Sequence, residues 1–149
     1  VLHDDRRGAG RLDDARQRSD KITWVHGDAM SHEFDRSFDV VASVATVHHM
    51  PDLGATLSRL ADLTAPGGVL AVIGLARASR PKDVLLHAAG AVQHQWMSRK
   101  SGYWEHTAPT MPPPYDFVTA RRTAEQALPG VRWQQLLLWR YALIWHKPL

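Results

Sequence analysis

Apolar residues gather in three short runs rich in β-branched side chains, residues 22–26 (ITWVH), 38–45 (FDVVASVA) and 69–75 (VLAVIGL), each bounded by turn or cap signals. The last two are almost continuously apolar, which is the pattern of strands buried on both faces of a parallel sheet. Between them the period changes. Asp52 stands as an N-cap just after Pro51, and Leu53, Leu57, Leu60 and Leu63 recur at helical spacing along one face. Residues 52–64 are therefore predicted as a helix, stopped by Pro66, Gly67 and Gly68. Residues 12–19 (LDDARQRS) read as a surface helix ahead of the first strand. Strand and helix alternate, so the class is α/β.

Beyond Leu75 the pattern loosens. Residues 83–97 are helical by the spacing of Leu85, Ala89, Val92 and Trp96, with Gly90 as a weak point. Residues 98–115 carry Gly102, Pro109, Pro112, Pro113 and Pro114 and can be neither helix nor central strand. Their aromatics, Tyr103, Trp104 and Tyr115, with His106, suggest a packed lid. Asp116 caps a predicted helix that runs from Phe117 to Leu128 and ends at Pro129 and Gly130. Residues 131–138 and 141–146 read as two closing strands. A tight turn is expected near Trp139 and Arg140, although no Gly, Asn or Asp supplies the usual turn chemistry there. Trp133, Trp139 and Trp145 fall at strand spacing and read as core and edge packing.

Composition narrows the class without changing it. At 149 residues, 44% hydrophobic, 22% charged and free of cysteine, the chain fits one globular domain over residues 1–149, with a variable segment at about 77–115. Coiled coils, collagen-like chains and disulfide scaffolds are excluded. Eighteen Lys and Arg against fifteen Asp and Glu leave a net charge of only +3. The densest basic stretch, Arg6, Arg7, Arg11, Arg16, Arg18 and Lys21, is diluted by Asp4, Asp5, Asp13, Asp14 and Asp20, so it reads as a solvated helix and no nucleic-acid partner is expected. No apolar run approaches the ~20 residues of a membrane span. Residues 1–5 are too short and too acidic for a signal peptide, and a soluble, cytoplasmic protein is expected. The histidines are scattered over separate elements, and the pair His87 and His94 lies two helical turns apart, so no metal site is expected.

Two carboxylates sit where strands of such a sheet would end: Asp5 after the short run 1–5, and Asp28 in Gly27-Asp28-Ala29 after the run 22–26. Open α/β sheets bind ligands beyond the carboxyl ends of their strands. One strand-end acid can accept both hydroxyls of a ribose, and the next can take the exocyclic amine of adenine, helped by the N–H that comes after it. Taken singly, each acid reads as a cap or a turn residue. As an ordered pair they favour a nucleoside ligand.

Three blocks in order carry a family resemblance: Trp24-Val25-His26-Gly27-Asp28-Ala29, then residues 38–43 (FDVVAS) running into 47–52 (VHHMPD), then 63–70 (LTAPGGVL). With the closing run 138–148, they make the chain resemble the class I S-adenosylmethionine-dependent methyltransferases of the small-molecule type over nearly its whole length. The resemblance implies a Rossmann-like, mostly parallel sheet closed by an antiparallel strand pair, and S-adenosylmethionine as cofactor. It implies that Asp5 holds the cofactor ribose, that Asp28 and Ala29 contact the adenine, and that Ser43 and Val44 lie under the methionyl part. His48 and His49 then open the next helix on the substrate side, as candidates for a base in methyl transfer to a small-molecule acceptor. The transfer itself is direct in-line displacement, which demands alignment and exclusion of water more than any obligatory catalytic side chain.

One part of the family pattern is absent: an acidic, glycine-rich loop after a first strand. Gly8-Ala9-Gly10 comes after no adequate strand, so residues 1–5 align best with the family's second strand, and the chain is expected to be truncated at its N-terminal side. It is therefore expected to bind S-adenosylmethionine weakly or not at all on its own. Two other readings stand beside the enzyme. One is an inactive, methyltransferase-like fragment or interaction module; the other is a nicotinamide-dependent oxidoreductase, which would show its own glycine fingerprint and a catalytic Tyr-Lys pair.

Overall fold

The structure, a computed structural model, describes residue 17 and residues 21–25, 27–81, 83 and 113–149. Contacts divide the chain into two units, Val1–Asp35 and Arg36–Leu149. In the first, Gln17 is helical. The rest of the helix expected over residues 12–19, like Asp5, lies outside the described residues.

The strand expected over residues 22–26 does not form: Ile22 to Val25 is irregular, with Ile22 and Val25 exposed, and His26 lies outside the described residues. A five-residue apolar run gains strand structure only when a neighbour takes up its backbone N–H and C=O groups, and among the described residues it has no ladder partner. Just beyond it the chain forms a turn closed by Asp28, whose backbone carbonyl accepts the N–H groups of Ser31 and His32.

The second unit holds a mixed four-stranded sheet of order β1-β2-β4-β3. It comprises β1 (Phe38–Val44), a 3-10 turn (Val47–His49), α1 (Leu53–Leu63), β2 (Thr64–Leu75), α2 (Phe117–Ala127), β3 (Arg132–Gln135) and β4 (Arg140–His146). β1 and β2 run parallel, β4 is antiparallel to β2, and β3 is antiparallel to β4. The closing antiparallel pair is thus the one expected from the sequence.

Both described helices start as their sequences predict. Asp52 accepts the Ala55 N–H at 2.7 Å and Asp116 accepts the Thr119 N–H at 2.8 Å, each taking up one of the donors a helix start leaves orphaned. The C-terminus of α1 is closed by a residue far along the chain: Lys147 Nζ donates to the carbonyls of Ala61 and Thr64, both at 2.8 Å. A cation there also complements the helix dipole. Of the helix expected over residues 83–97, Asp83 is helical and the remainder lies outside the described residues; the turn already begins at Pro81.

β2 is longer than expected because Pro66, Gly67 and Gly68 stop α1 and yet stay within the strand, as an irregularity between Phe38 and Val40 in the β1 register. Gly68 is required there, since a Cβ would lie 2.8 Å from the carbonyl oxygens of Ala65 and Asp39. Gly74 is required by its cross-strand partner Tyr141, whose ring occupies the space of a Cβ.

The core lies on one face of the sheet. Leu70 and Val72 of β2 and Tyr141, Leu143 and Trp145 of β4 pack with Leu53 and Leu57 of α1 and with Phe117, Ala120, Ala124 and Leu128 around α2. Trp133 stacks on Tyr141 at 4.2 Å between ring centroids, and Trp145 Nε1 donates to the Pro129 carbonyl. The expectation of burial on both faces fails for β1. Val40 and Val44, on the face of β1 away from the core, are each 65% exposed, because that face of the strand is left uncovered.

The last hairpin turns tightly at Leu138 and Trp139, both at φ 58°. Such a turn is normally built from Asn and Gly; two bulky residues in the left-handed region cost about 1–2 kcal/mol each. The Trp139 carbonyl offsets part of this by accepting the Ala76 N–H at 2.9 Å. Of the three tryptophans expected to pack, Trp139 is the exception, at 46% exposed.

Candidate functional site

In the second unit, β1 and β2 end side by side, and the chain leaving β1 makes an abrupt corner. Ala45 adopts φ 53°, and its N–H donates to the Ile73 carbonyl at 2.7 Å, so the strand is tied to β2 up to its last residue. A positive φ at a residue with a Cβ is uncommon and marks a backbone held by its surroundings. Thr46 Oγ1 then donates back to the Val44 carbonyl, and the 3-10 turn Val47–His49 comes next. Val47, buried in the core, pins this turn.

The corner brings together four of the residues the sequence singles out. Ser43 and Val44 are the last two residues of β1, with Ser43 half-buried beside Val72 and Val44 exposed beside Ile73. His48 and His49 occupy the turn, with rings 4.1 Å apart and tilted by 42°. His48 is half-buried and its Nδ1 is buried with no hydrogen-bond partner. Burial first, and the neighbouring His49 second, hold the His48 imidazole below its ordinary pKa. His48 is accordingly neutral at pH 7, the form that can accept a proton.

Asp28 and Ala29 belong to the other unit. Asp28 Oδ1 accepts the Met30 N–H at 3.0 Å and Oδ2 accepts the Ser31 hydroxyl at 3.3 Å, the contacts of an acid that closes its own turn. His106 lies outside the described residues. Tyr115 is half-buried, and its phenol is pushed up by burial.

A second feature lies at the carboxyl end of β2, partly within the segment 77–115 that the sequence marks as a variable substrate or lid region. A cavity of about 360 Å³ opens there, lined by Leu75, Arg77, Ala78, Pro113 and Trp139. Arg77 ties its floor together: its N–H donates to the Tyr115 carbonyl and its Nη2 to the Pro114 carbonyl at 3.1 Å. Asp83, fully buried, accepts the N–H groups of Ser79 and Arg80 and the Gln135 side-chain amide, fixing residues 79–83 to β3. The sequence marks Arg77, Ala78 and Pro113 as part of that segment but carries no sign that Leu75 and Trp139 join them.

The fit of a sulfonium cofactor to the β1 corner can be judged from these residues. Val44 is exposed on one side of β1, Ser43 is half-buried on the other, and the unpartnered His48 Nδ1 is itself buried, so the side chain open to a ligand at the corner is the apolar Val44.

Comparison with known proteins places this geometry in context. A methyltransferase-domain profile matches residues 8–72. An uncharacterized methyltransferase of Mycobacterium tuberculosis is 37% identical over 130 residues, covering 86% of this chain and 66% of the relative, so the chain spans just under two thirds of that protein. A ubiquinone biosynthesis O-methyltransferase of Rhodopseudomonas palustris is 32% identical over 68 residues, 46% of this chain and 26% of its own. Among solved structures, the N-methyltransferase NodS from Bradyrhizobium japonicum, in complex with S-adenosyl-L-homocysteine, superposes with a TM-score of 0.56 at 18% identity. That match covers 97% of this chain and 63% of NodS, and shows a shared fold.

Proposed function

We propose that the chain is a class I methyltransferase and that it serves S-adenosylmethionine-dependent methyl transfer to a small-molecule acceptor, a reading supported by the methyltransferase-domain match and the methyltransferase relatives. The observation that carries this reading is the β1 corner, where Ser43, Val44, His48 and His49 meet beyond the carboxyl end of a parallel strand pair. Val44 and the Ala45 backbone would form the floor for the methionyl part. Bound there, the cofactor supplies a methyl group already activated on a sulfonium. The work left to the protein is to align the acceptor and exclude water. Neutral His48 can take the proton of a hydroxyl or amine acceptor at Nε2. Asp28 and Ala29 are assigned to the adenine and Asp5 to the ribose on the family resemblance. The reading also includes a cytoplasmic setting without nucleic-acid or membrane partners; among the described residues no helix is long and apolar enough to cross a membrane.

A second reading is a methyltransferase-like chain without activity, and the absence of a glycine-rich loop from residues 1–149 favours it. Ultraviolet cross-linking with methyl-labelled S-adenosylmethionine separates the two, because it captures weak complexes. Label within residues 37–59 that S-adenosylhomocysteine competes away supports the enzyme reading. No label, or label indifferent to the competitor, overturns it. Calorimetry on residues 1–149 is expected to give a dissociation constant above about 100 μM, weaker than about −5.5 kcal/mol; a micromolar value would mean that these residues hold the cofactor without a glycine-rich loop.

A further inference from the structure

The cavity at the carboxyl end of β2 combines three things rarely placed together by packing alone. Trp139 keeps nearly half of its surface in solvent although it sits in a tight hairpin, and its backbone lies at φ 58°. Pro113 and Leu75 supply further apolar wall, and among the described residues Arg77 is the one charged member of the lining. Strained, exposed aromatics cluster where a ligand is to be met.

We propose that this cavity is the acceptor subsite and that it takes a planar aromatic compound bearing an anionic group. The ring lies against the Trp139 indole and Pro113, and the anion meets the Arg77 guanidinium. The Arg77 guanidinium is held at one nitrogen, Nη2, which donates to the Pro114 carbonyl, while its other N–H groups remain to meet an anion. The Asp116 carboxylate accepts the Thr119 N–H as the cap of α2. The location agrees with the chemistry. Leu75 lies two residues beyond Ile73, which pairs with Val44, so the cavity and the β1 corner share the carboxyl edge of one parallel strand pair. As an acceptor subsite the assignment rests on the methyl-transfer reading; as a binding site it stands by itself.

Two probes of equal ring and opposite polarity test it: 1-naphthoate and the uncharged 1-naphthalenemethanol. Each is titrated into the chain while the six tryptophan indole N–H resonances are monitored. The Trp139 signal, identified by its loss in Trp139→Phe, is expected to shift saturably, with naphthoate bound about tenfold more tightly than the alcohol at low salt, a difference of about 1.4 kcal/mol. Arg77→Gln should bring the two probes to equal affinity, and Arg77→Lys should keep most of the preference for the anion. Trp139→Leu, at an exposed position, should weaken both probes. A Trp139 signal that does not move at millimolar probe, or an equal affinity of the two probes for the unsubstituted chain, overturns the proposal. Cofactor labelling is read separately. If it fails while naphthoate binds at Trp139, the methyl-transfer reading falls and the aromatic-anion site remains; the reverse removes the site alone.

Discussion

On one face of the sheet Leu70, Val72, Tyr141 and Leu143 are sealed in a single cluster with α1 and α2, whereas on the other Val40 and Val44 stand 65% exposed. β1 contributes to both faces, Val41 packing against the cluster while Val40 and Val44 point the other way, since successive side chains point to opposite sides. Burial on the first face holds the second unit together. The second face, with the corner where β1 ends, is open along β1, and an apolar residue exposed there contributes little to stability.

The largest expected effect tests that contrast directly. Leu57→Ala or Leu143→Ala removes a fully buried side chain and should lower stability by about 2–5 kcal/mol in urea denaturation. Val40→Ala or Val44→Ala should stay within about 0.5 kcal/mol by the same assay. Comparable losses on both faces would erase the distinction. Next, Gly74→Ala forces a Cβ into the Tyr141 ring and should cost about 1–3 kcal/mol, measured by thermal unfolding. Smaller effects come from the helix ends that seal the buried face. Asp52→Ala and Asp116→Ala should each cost about 1 kcal/mol in chemical denaturation. The Asp116 share should disappear in acid: its carboxyl is held down to about 2 from 3.8, first by the Thr119 backbone N–H, so its contribution is present above pH 3.8 and fades as pH falls towards 2.

The smallest effect belongs to the open corner. His48 has its folded pKa depressed, so the unfolded chain binds more protons, and stability should fall as pH drops below 6.5 towards the folded value. His48→Gln should flatten that part of a stability profile against pH. An unchanged slope would mean that the imidazole is no more buried than a surface histidine.

The buried face was the legible part of the sequence. The leucine spacing of α1, the acids before both helices and the apolar runs of β1, β2 and β4 state local preferences that packing then reinforces. Residues 22–25 misled, because an apolar run announces a strand without saying whether a neighbour is present to pair with it. Val40 and Val44 misled for the same reason, since burial on a second face depends on what covers it. The corner at Ala45 and the Lys147 cap on α1 carried no signal at all, and the Leu138-Trp139 turn was legible only from the two apolar runs that flank it, not from its own residue types. Each depends on contacts between residues distant in sequence, or on a backbone conformation that the residue type argues against. Of the candidate site, Ser43, Val44, His48 and His49 were placed together by their spacing along one strand and its turn, while the cavity at Arg77 and Trp139 is assembled from three separate segments and could only be seen once folded.

The central claim is that ligand chemistry belongs to the open strand end and not to the sealed face. Methyl resonances of valine and leucine, monitored as S-adenosylhomocysteine is added to millimolar concentration, test it most directly. The account predicts a saturable shift of Val44 while Leu57 and Leu143 stay still. A Val44 signal that does not move, or shifts spread evenly over the buried leucines, would contradict it.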